Sequence, residues 1–315
     1  MKSVAIVMAS QLGVRCDSII RAELKGAIEV RALGRGPVVD LPPDVTALFA
    51  LPFGRAGLAP APRPAGWPFG LKWVQLASAG LDAYPDWLFD GPVVTSARGT
   101  LATPIAEYCL AAIFAAAKEF PGLWIDSPDR WRMTPLQSVE GSTLGIYGFG
   151  AIGQALATRA QALGMDVIVA RKSSAELPAG LRRAAGIGQL LAESHHLVLA
   201  APATGETRHI VNAASLMHAR PDLHLINVSR GALVDSHALI DALDSGRIGL
   251  ATLDVAETEP LPAGHPLYLH PKVRLSPHTS AVTRDMDARL ARLFIDNFRR
   301  FLAGAELLNV ASGEG

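Results

Sequence analysis

The stretch "GIYGFGAIGQALATRAQALGMDVIVARKSS", residues 145–174, decides the fold. A short apolar run runs straight into Gly148, Gly150 and Gly153. These glycines open an Ala-rich helical run that Gly164 stops, and a second apolar run, "DVIVA", follows. G-x-G-x-x-G is a weak signal alone; strand, turn, helix and strand in that order give it meaning. Glycines at this spacing allow a tight turn and let the backbone approach a pyrophosphate. The pyrophosphate then rests on the N–H groups that open the helix, here those of Ala151, Ile152 and Gly153. The segment predicts a dinucleotide-binding βαβ unit in a parallel sheet.

The end of the second strand bears on which dinucleotide. Where NAD is bound, an Asp or Glu about 20 residues on accepts from the ribose 2′-OH. Here the strand ends "VARKSS": Arg171 stands at the acidic place, with Lys172, Ser173 and Ser174 beside it. A carboxylate repels a 2′-phosphate, whereas a guanidinium, an ammonium and hydroxyls bind one. The expectation is NADP(H) in preference to NAD(H). The plainer alternative is that Arg171 and Lys172 are solvated loop charges.

Outward from this unit the pattern repeats. "HLVLAAP", "HLINVS", "GLATLDV" and "KVRLSP" read as further strands. The helix "SHALIDALDS" among them is capped by Asp235 or Ser236 and stopped by Gly246. Strands alternating with helices imply a doubly wound parallel sheet. Upstream, "VAIVMA" (4–9), "TALFAL" (46–51), "KWVQLA" (72–77) and "PVVTS" (92–96) suggest a smaller parallel α/β unit. Residues 52–70 are rich in Pro and Gly and read as loop. "TPIAEYCLAAIFAAAKEF" (103–120) predicts a helix, Thr103 capping it and Pro104 in its first position. Residues 283–304 place Met286, Leu290, Leu293, Phe294, Phe298, Phe301 and Leu302 along one face of an amphipathic helix.

Composition agrees. The chain has 315 residues, half of them hydrophobic and 18% charged, enough for sizeable cores in two domains. Lys plus Arg and Asp plus Glu balance at 29 each, which gives no bulk attraction for nucleic acid or a membrane surface. The two cysteines, Cys16 and Cys109, form neither a disulfide framework nor a metal spacing, and no His/Cys motif for a metal occurs. With neither a signal peptide nor a membrane span, the sequence reads as soluble and cytoplasmic.

Three strings then carry the chemistry. "INVSRGALVD" places Arg230 just after a strand, "LDVAETEPLP" places Asp254 and Glu259 after the next, and "LSPHTS" places His278 after the one beyond. Successive strands of a parallel sheet share a carboxyl edge, so Arg, Glu and His can converge near a bound nicotinamide. Such a set suits a 2-oxo acid. Arg offers a fork of donors for a carboxylate beside a ketone. A protonated His can neutralise the charge that hydride addition builds on oxygen, and a nearby Glu favours the imidazolium. Each residue has a structural alternative: an ion-paired Arg, a solvated Glu, a turn His.

These strings, with "LASAGLD", "RGTLATPIAEY" and "STLGIYGFGAIG", resemble the D-isomer-specific 2-hydroxyacid dehydrogenase family in order and spacing over nearly the whole chain. The basic "ARKSS" is most similar to the glyoxylate/hydroxypyruvate reductase branch. The resemblance implies an α/β fold of two Rossmann-like or flavodoxin-like domains with doubly wound parallel sheets and the active site in the cleft between them. Residues 1–98 and 281–315 would form a discontinuous substrate domain, and 99–280 the NADP-binding Rossmann domain. By the same resemblance Arg230 holds the substrate carboxylate and carbonyl, His278 donates the proton and Glu259 pairs with it. The backbone of Ser78, Ala79 and Gly80 receives the carboxylate, and Asp254 contacts the nicotinamide carboxamide. A homodimer is implied, with Trp131 similar to the aromatic of a dimer-crossing loop, although it reads equally as a packing Trp.

The departures are "SAR" before the Gly of "RG", "VAET" without the usual aromatic, and a Pro in "HARPDLHL". The first two bear on pocket shape. Two further readings stand beside the reductase: an NAD-dependent phosphoglycerate-dehydrogenase-like enzyme, and a nucleotide-sensing corepressor-like binding protein. The formate-dehydrogenase-like branch, which pairs its His with Gln, is disfavoured by Glu259.

Overall fold

The computed structural model describes residues 6–53 and 61–312. The chain divides into two units: the described residues within Met1–Leu101 and Thr283–Gly315 form one, and Ala102–Val282 the other. Residues 54–60 of the loop read at 52–70 fall outside the described residues, as do the first two of "VAIVMA".

The first unit begins with β1 (Ile6–Ser10), α1 (Val14–Glu23), β2 (Ile28–Ala32), β3 (Val45–Ala50), β4 (Trp73–Leu76) and β5 (Val93–Thr95). Its strands are all parallel, in the order β2-β1-β3-β4-β5. That is the flavodoxin-like order, with its switch point beside β1. Side chains alternate across the sheet with period two. On β3, Leu48 and Ala50 face one core, with Val74 and Leu76, while Ala47 and Phe49 face another, with Met8 and Trp73.

The second unit runs through α2 (Ala102–Ala117), β6 (Thr143–Tyr147), α3 (Ala151–Ala162), β7 (Asp166–Ala170), β8 (Leu181–Arg183), α4 (Ile187–Glu193) and β9 (His196–Leu199). It continues with α5 (Ala213–Leu216), β10 (His224–Asn227), α6 (Ser236–Asp244), β11 (Leu250–Leu253) and β12 (Val273–Leu275). The sheet order is β12-β11-β10-β9-β6-β7-β8, every pairing parallel. Counted from β6, this is the dinucleotide-binding order extended by one strand, and the order reverses between β6 and β9. Apolar clusters cover both faces of the sheet, which is why its strands read as continuous hydrophobic runs.

The chain returns to the first unit as α7 (Met286–Leu302). Phe294 stacks between Phe49 and Trp73, with ring centroids 5.1 and 4.8 Å away. Asn297, fully buried beneath it, donates to Gln75 Oε1 at 3.0 Å and accepts from Leu308 N at 2.7 Å. A buried amide satisfied in this way fixes how the helix seats on its sheet.

Several local expectations are corrected. Helix α2 begins at Ala102, so Thr103 lies inside it and accepts from Arg159 Nη2 at 3.3 Å instead of capping. Pro104 is the third helical residue rather than the first, still within the first turn, where its missing N–H costs nothing. For α6 the cap is Asp235, whose Oδ1 accepts from His237 N and Ala238 N. No helix among the described residues is long and apolar enough to cross a membrane.

His196 and His224 open neighbouring strands in register, their Nδ1 atoms 3.2 Å apart, and His224 Nε2 lies 2.8 Å from Thr252 Oγ1. Burial first, then repulsion from the His195 imidazole, pushes His196 down to about 4; burial, then repulsion from His196, pushes His224 down to about 3. The unfolded chain therefore binds protons below about pH 6.5 that the folded chain refuses. Stability is complete above that pH and falls as pH drops toward 4, by up to about 1.4 kcal/mol per pH unit for each histidine. Urea midpoints at about pH 7 and pH 5 are expected to differ less in His196→Gln than in the wild type. An equal difference in both would refute the assignment.

Candidate functional site

Strand β6 delivers the chain to Gly148, whose φ of +99° places it in the left-handed region. A Cβ there would come within 2.7 Å of Ala201 N and 2.8 Å of Ala200 C, so the turn passes against the backbone leaving β9. At Gly153 a Cβ would meet Gly148 O at 2.5 Å, which seats α3 directly on the loop. Gly150 differs: its φ is −79° and a Cβ would meet nothing within 4 Å. Neither backbone strain nor packing among the described residues requires that glycine. The space beside it is open, and Gly150 is the residue preceding α3. The opening N–H groups of Ala151, Ile152 and Gly153 lie beside that space, in the arrangement that binds phosphate. The residues present fit a dinucleotide pyrophosphate.

Arg171 is the first residue after β7, and its guanidinium lies over the Phe149 ring, 5.8 Å from the centroid. Phe149 stands between two of the loop glycines, so a cation–π contact holds the arginine beside the phosphate loop. Lys172 pairs with Glu206, Nζ to Oε2 at 2.8 Å. Ser173 accepts from Ala175 N through its hydroxyl and from Arg183 Nη1, at 3.1 Å, through its carbonyl. Arg183 also donates to Ala175 O. Sequence reasoning passed over Arg183, because "LRR" has no apolar run and becomes β8 only by pairing with β7.

The three strands β10, β11 and β12 lie side by side and place Arg230, Glu259 and His278 in the loops beyond their carboxyl ends. The loops are tied to one another. The Arg230 carbonyl accepts from Asn227 Nδ2 at 2.9 Å, and its Nη1 donates to Ser229 O at 2.8 Å. The next residue, Gly231, passes so close to the following loop that a Cβ would fall 1.9 Å from Ala256 C. Ala256 N donates to Glu259 Oε1 at 3.1 Å, and Glu259 Oε2 lies 2.8 Å from His278 Nδ1. Steric contact and hydrogen bonds thus run unbroken from the arginine turn to the histidine.

His278 adopts φ +53°, an uncommon conformation for a non-glycine residue. Asp254, 1% exposed, supports the turn. Its Oδ1 accepts from Ser276 Oγ at 2.6 Å and Thr279 N at 2.8 Å, and its Oδ2 from Ser280 N at 2.9 Å. Its carbonyl accepts from His278 N at 2.8 Å. Tyr108 of α2 joins this network, its hydroxyl 2.6 Å from Ser276 Oγ. Burial is the main cause that raises the Tyr108 phenol above its ordinary range.

A second His–carboxylate pair stands nearby. His209 Nε2 is 2.6 Å from Glu257 Oε1, while Glu257 Oε2 accepts from Ser236 N at 3.3 Å. His209 N donates to Ala232 O at 2.8 Å, so this residue braces both neighbouring loops. Neither Glu257 nor His209 was singled out from sequence, since each is a single polar residue in a loop and only tertiary contact pairs them.

Ser78, Ala79 and Gly80 belong to the other unit and follow β4. Ser78 Oγ donates to Gly80 O at 2.7 Å, and its carbonyl accepts from Ala97 N at 2.9 Å. This turn packs over Tyr84, whose hydroxyl burial pushes up to about 12.

Residues 110–280 match the family described as D-isomer specific 2-hydroxyacid dehydrogenase, NAD binding domain. The glyoxylate reductase of Aeropyrum pernix is 35% identical over 71% of this chain and 70% of that protein. The glyoxylate/hydroxypyruvate reductase A of Serratia proteamaculans is 32% identical over 68% of this chain and 72% of its own length. Among solved structures, a D-isomer specific 2-hydroxyacid dehydrogenase from Xanthobacter autotrophicus in complex with NADPH and MES has a TM-score of 0.78 at 28% identity, covering 99% of this chain and 98% of that one.

Proposed function

Because the chain belongs to the D-isomer specific 2-hydroxyacid dehydrogenase family, we propose that it reduces a small 2-oxo acid of the glyoxylate or hydroxypyruvate type to the D-2-hydroxy acid, using NADPH in preference to NADH. The observation that carries the reading is the 2.8 Å His278–Glu259 pair, tied through Ala256 to the turn that holds Arg230.

The nicotinamide, when bound, supplies hydride to the substrate's carbonyl carbon. The chain's part is to hold the acid and deliver a proton. Glu259 is an acceptor for His278 Nδ1–H, which leaves Nε2 as the nitrogen that donates to the ketone oxygen. Arg230 engages the carboxylate and carbonyl with its donor fork, and the backbone of Ser78, Ala79 and Gly80 receives the carboxylate. Asp254 Oδ2 accepts one protein hydrogen bond, and a carboxylate oxygen has capacity for a second, here from the carboxamide. Gly148, Gly150 and Gly153 with Ala151 and Ile152 take the pyrophosphate. Arg171, Lys172 and Ser173 take the 2′-phosphate.

A homodimer is part of the same reading. The segment between α2 and β6 exposes Trp124, Trp131 and Met133. Three large apolar side chains in one loop are surface that a second copy would cover.

The direct test is turnover with NADPH and NADH across a panel of 2-oxo acids. Steady reduction of glyoxylate or hydroxypyruvate is expected, and binding of nucleotide without turnover would favour the sensing protein. Arg230→Lys keeps the charge but loses the fork. It is expected to cost about 1.5–3 kcal/mol in kcat/KM for the 2-oxo acid, the scale of a charged hydrogen bond. Wild-type kinetics in that variant would refute the two-point contact.

A further inference from the structure

Lys172 and Glu206 do not belong to one loop. Lys172 follows β7, whereas Glu206 lies in the turn after β9, and the two strands flank β6 on either side. Their ion pair therefore reaches across the carboxyl end of the strand that leads into the phosphate loop, at the sheet's switch point. Both side chains are largely exposed, 86% and 72%, and a pair so exposed adds little to stability. Glu206 is nevertheless presented on an ordered turn: Thr207 Oγ1 accepts from Thr204 N at 2.7 Å and donates to Pro202 O at 2.7 Å.

We propose that Glu206 is a specificity-determining residue that limits the preference for the phosphorylated cofactor. Its carboxylate is an internal anion on the same ammonium that the 2′-phosphate would use. A nucleotide carrying that phosphate must displace Glu206 from Lys172 and then sit near its charge. A nucleotide with a free 2′-hydroxyl does neither. The inference rests on the reading of Arg171 and Lys172 as 2′-phosphate ligands and predicts an effect of opposite sign to the loss of either.

The test uses the full chain without any reaction. Binding of 2′,5′-ADP and of 5′-ADP is measured by calorimetry in the wild type and in Glu206→Gln. The ratio of their affinities is expected to shift toward 2′,5′-ADP by about 3- to 5-fold, the upper range for an exposed pair. The shift should shrink between about 0.1 M and 1 M salt, as the screening length falls from about 10 to about 3 Å. It should also shrink when Lys172→Met is already present. A ratio that is unchanged or lowered in Glu206→Gln, while Arg171→Asp and Lys172→Met lower it, overturns the inference and leaves the 2′-phosphate reading standing. A ratio unmoved by Arg171→Asp and Lys172→Met overturns both.

Discussion

His278→Gln is expected to lower kcat for 2-oxo acid reduction by about 10²-fold or more, the scale of a lost general acid. Glutamine can still donate a hydrogen bond, so the substrate oxygen keeps a polar neighbour but receives no proton. The turn is held by Asp254 through the backbone N–H groups of Thr279 and Ser280, not through the imidazole, so the variant should fold normally. Nucleotide affinity should be retained, because the phosphate loop lies in another part of the sheet. Glu259→Gln should cost less: His278 remains, but its Nδ1 partner becomes a neutral amide and the imidazolium loses a charge-assisted bond. A His278→Gln enzyme within a factor of about three of wild-type kcat would refute the proton-donor role.

Arg171→Asp is expected to shift the NADPH-to-NADH ratio of kcat/KM by about 10²-fold toward NADH. The helix N-terminus after Gly150 meets the pyrophosphate common to both cofactors and cannot choose between them. Choice falls to groups near the 2′ position, and Arg171 is held close to the loop by its contact with Phe149. The substitution acts twice. It removes a guanidinium that attracts phosphate, and it introduces a carboxylate that repels phosphate and can accept from a free 2′-hydroxyl. Rising salt should weaken the wild type's use of NADPH more than of NADH, since the extra charge is the part that is screened. A wild-type enzyme that favours NADH, or a ratio untouched by Arg171→Asp, would refute the assignment. This ratio and the response to Glu206→Gln have opposite signs, and no general loss of stability produces both.

Local signals made much of this protein legible. Strands β6, β7, β9, β10 and β11 are buried on both faces, so each had to be an apolar run. The turn at Gly148 demanded a residue tolerant of positive φ, and Gly153 one without a Cβ where α3 meets that turn. Strand β2, "IEVRA", carried a period-two signal in Ile28 and Val30 that its short length hid among charged neighbours. The short α5 was not read from sequence, although Asn212 and Ser215, which form a reciprocal cap, stand at its start.

By itself, then, the sequence determined a parallel α/β fold, the phosphate loop and the order in which Arg230, Glu259 and His278 arrive at a sheet edge. Those features depend on residues a few positions apart, whose periodicity and conformational preferences act before any long-range contact forms. Only the tertiary structure decided which side chains meet. Glu259 and His278 are 19 residues apart, Lys172 and Glu206 are 34 apart, and His209 and Glu257 are 48 apart. Each pair comes together because parallel strands bring their loops to a common edge, adjacent strands for Glu259 and His278 and strands one apart for the other two pairs, and nothing in the spacing along the chain states which carboxylate faces which cation. The same holds for Asp254, whose hold on the His278 turn depends on β11 and β12 lying side by side. Pairing between strands is a non-local choice, made by the burial of whole sheet faces, and the chemistry of the loops inherits its geometry from that choice.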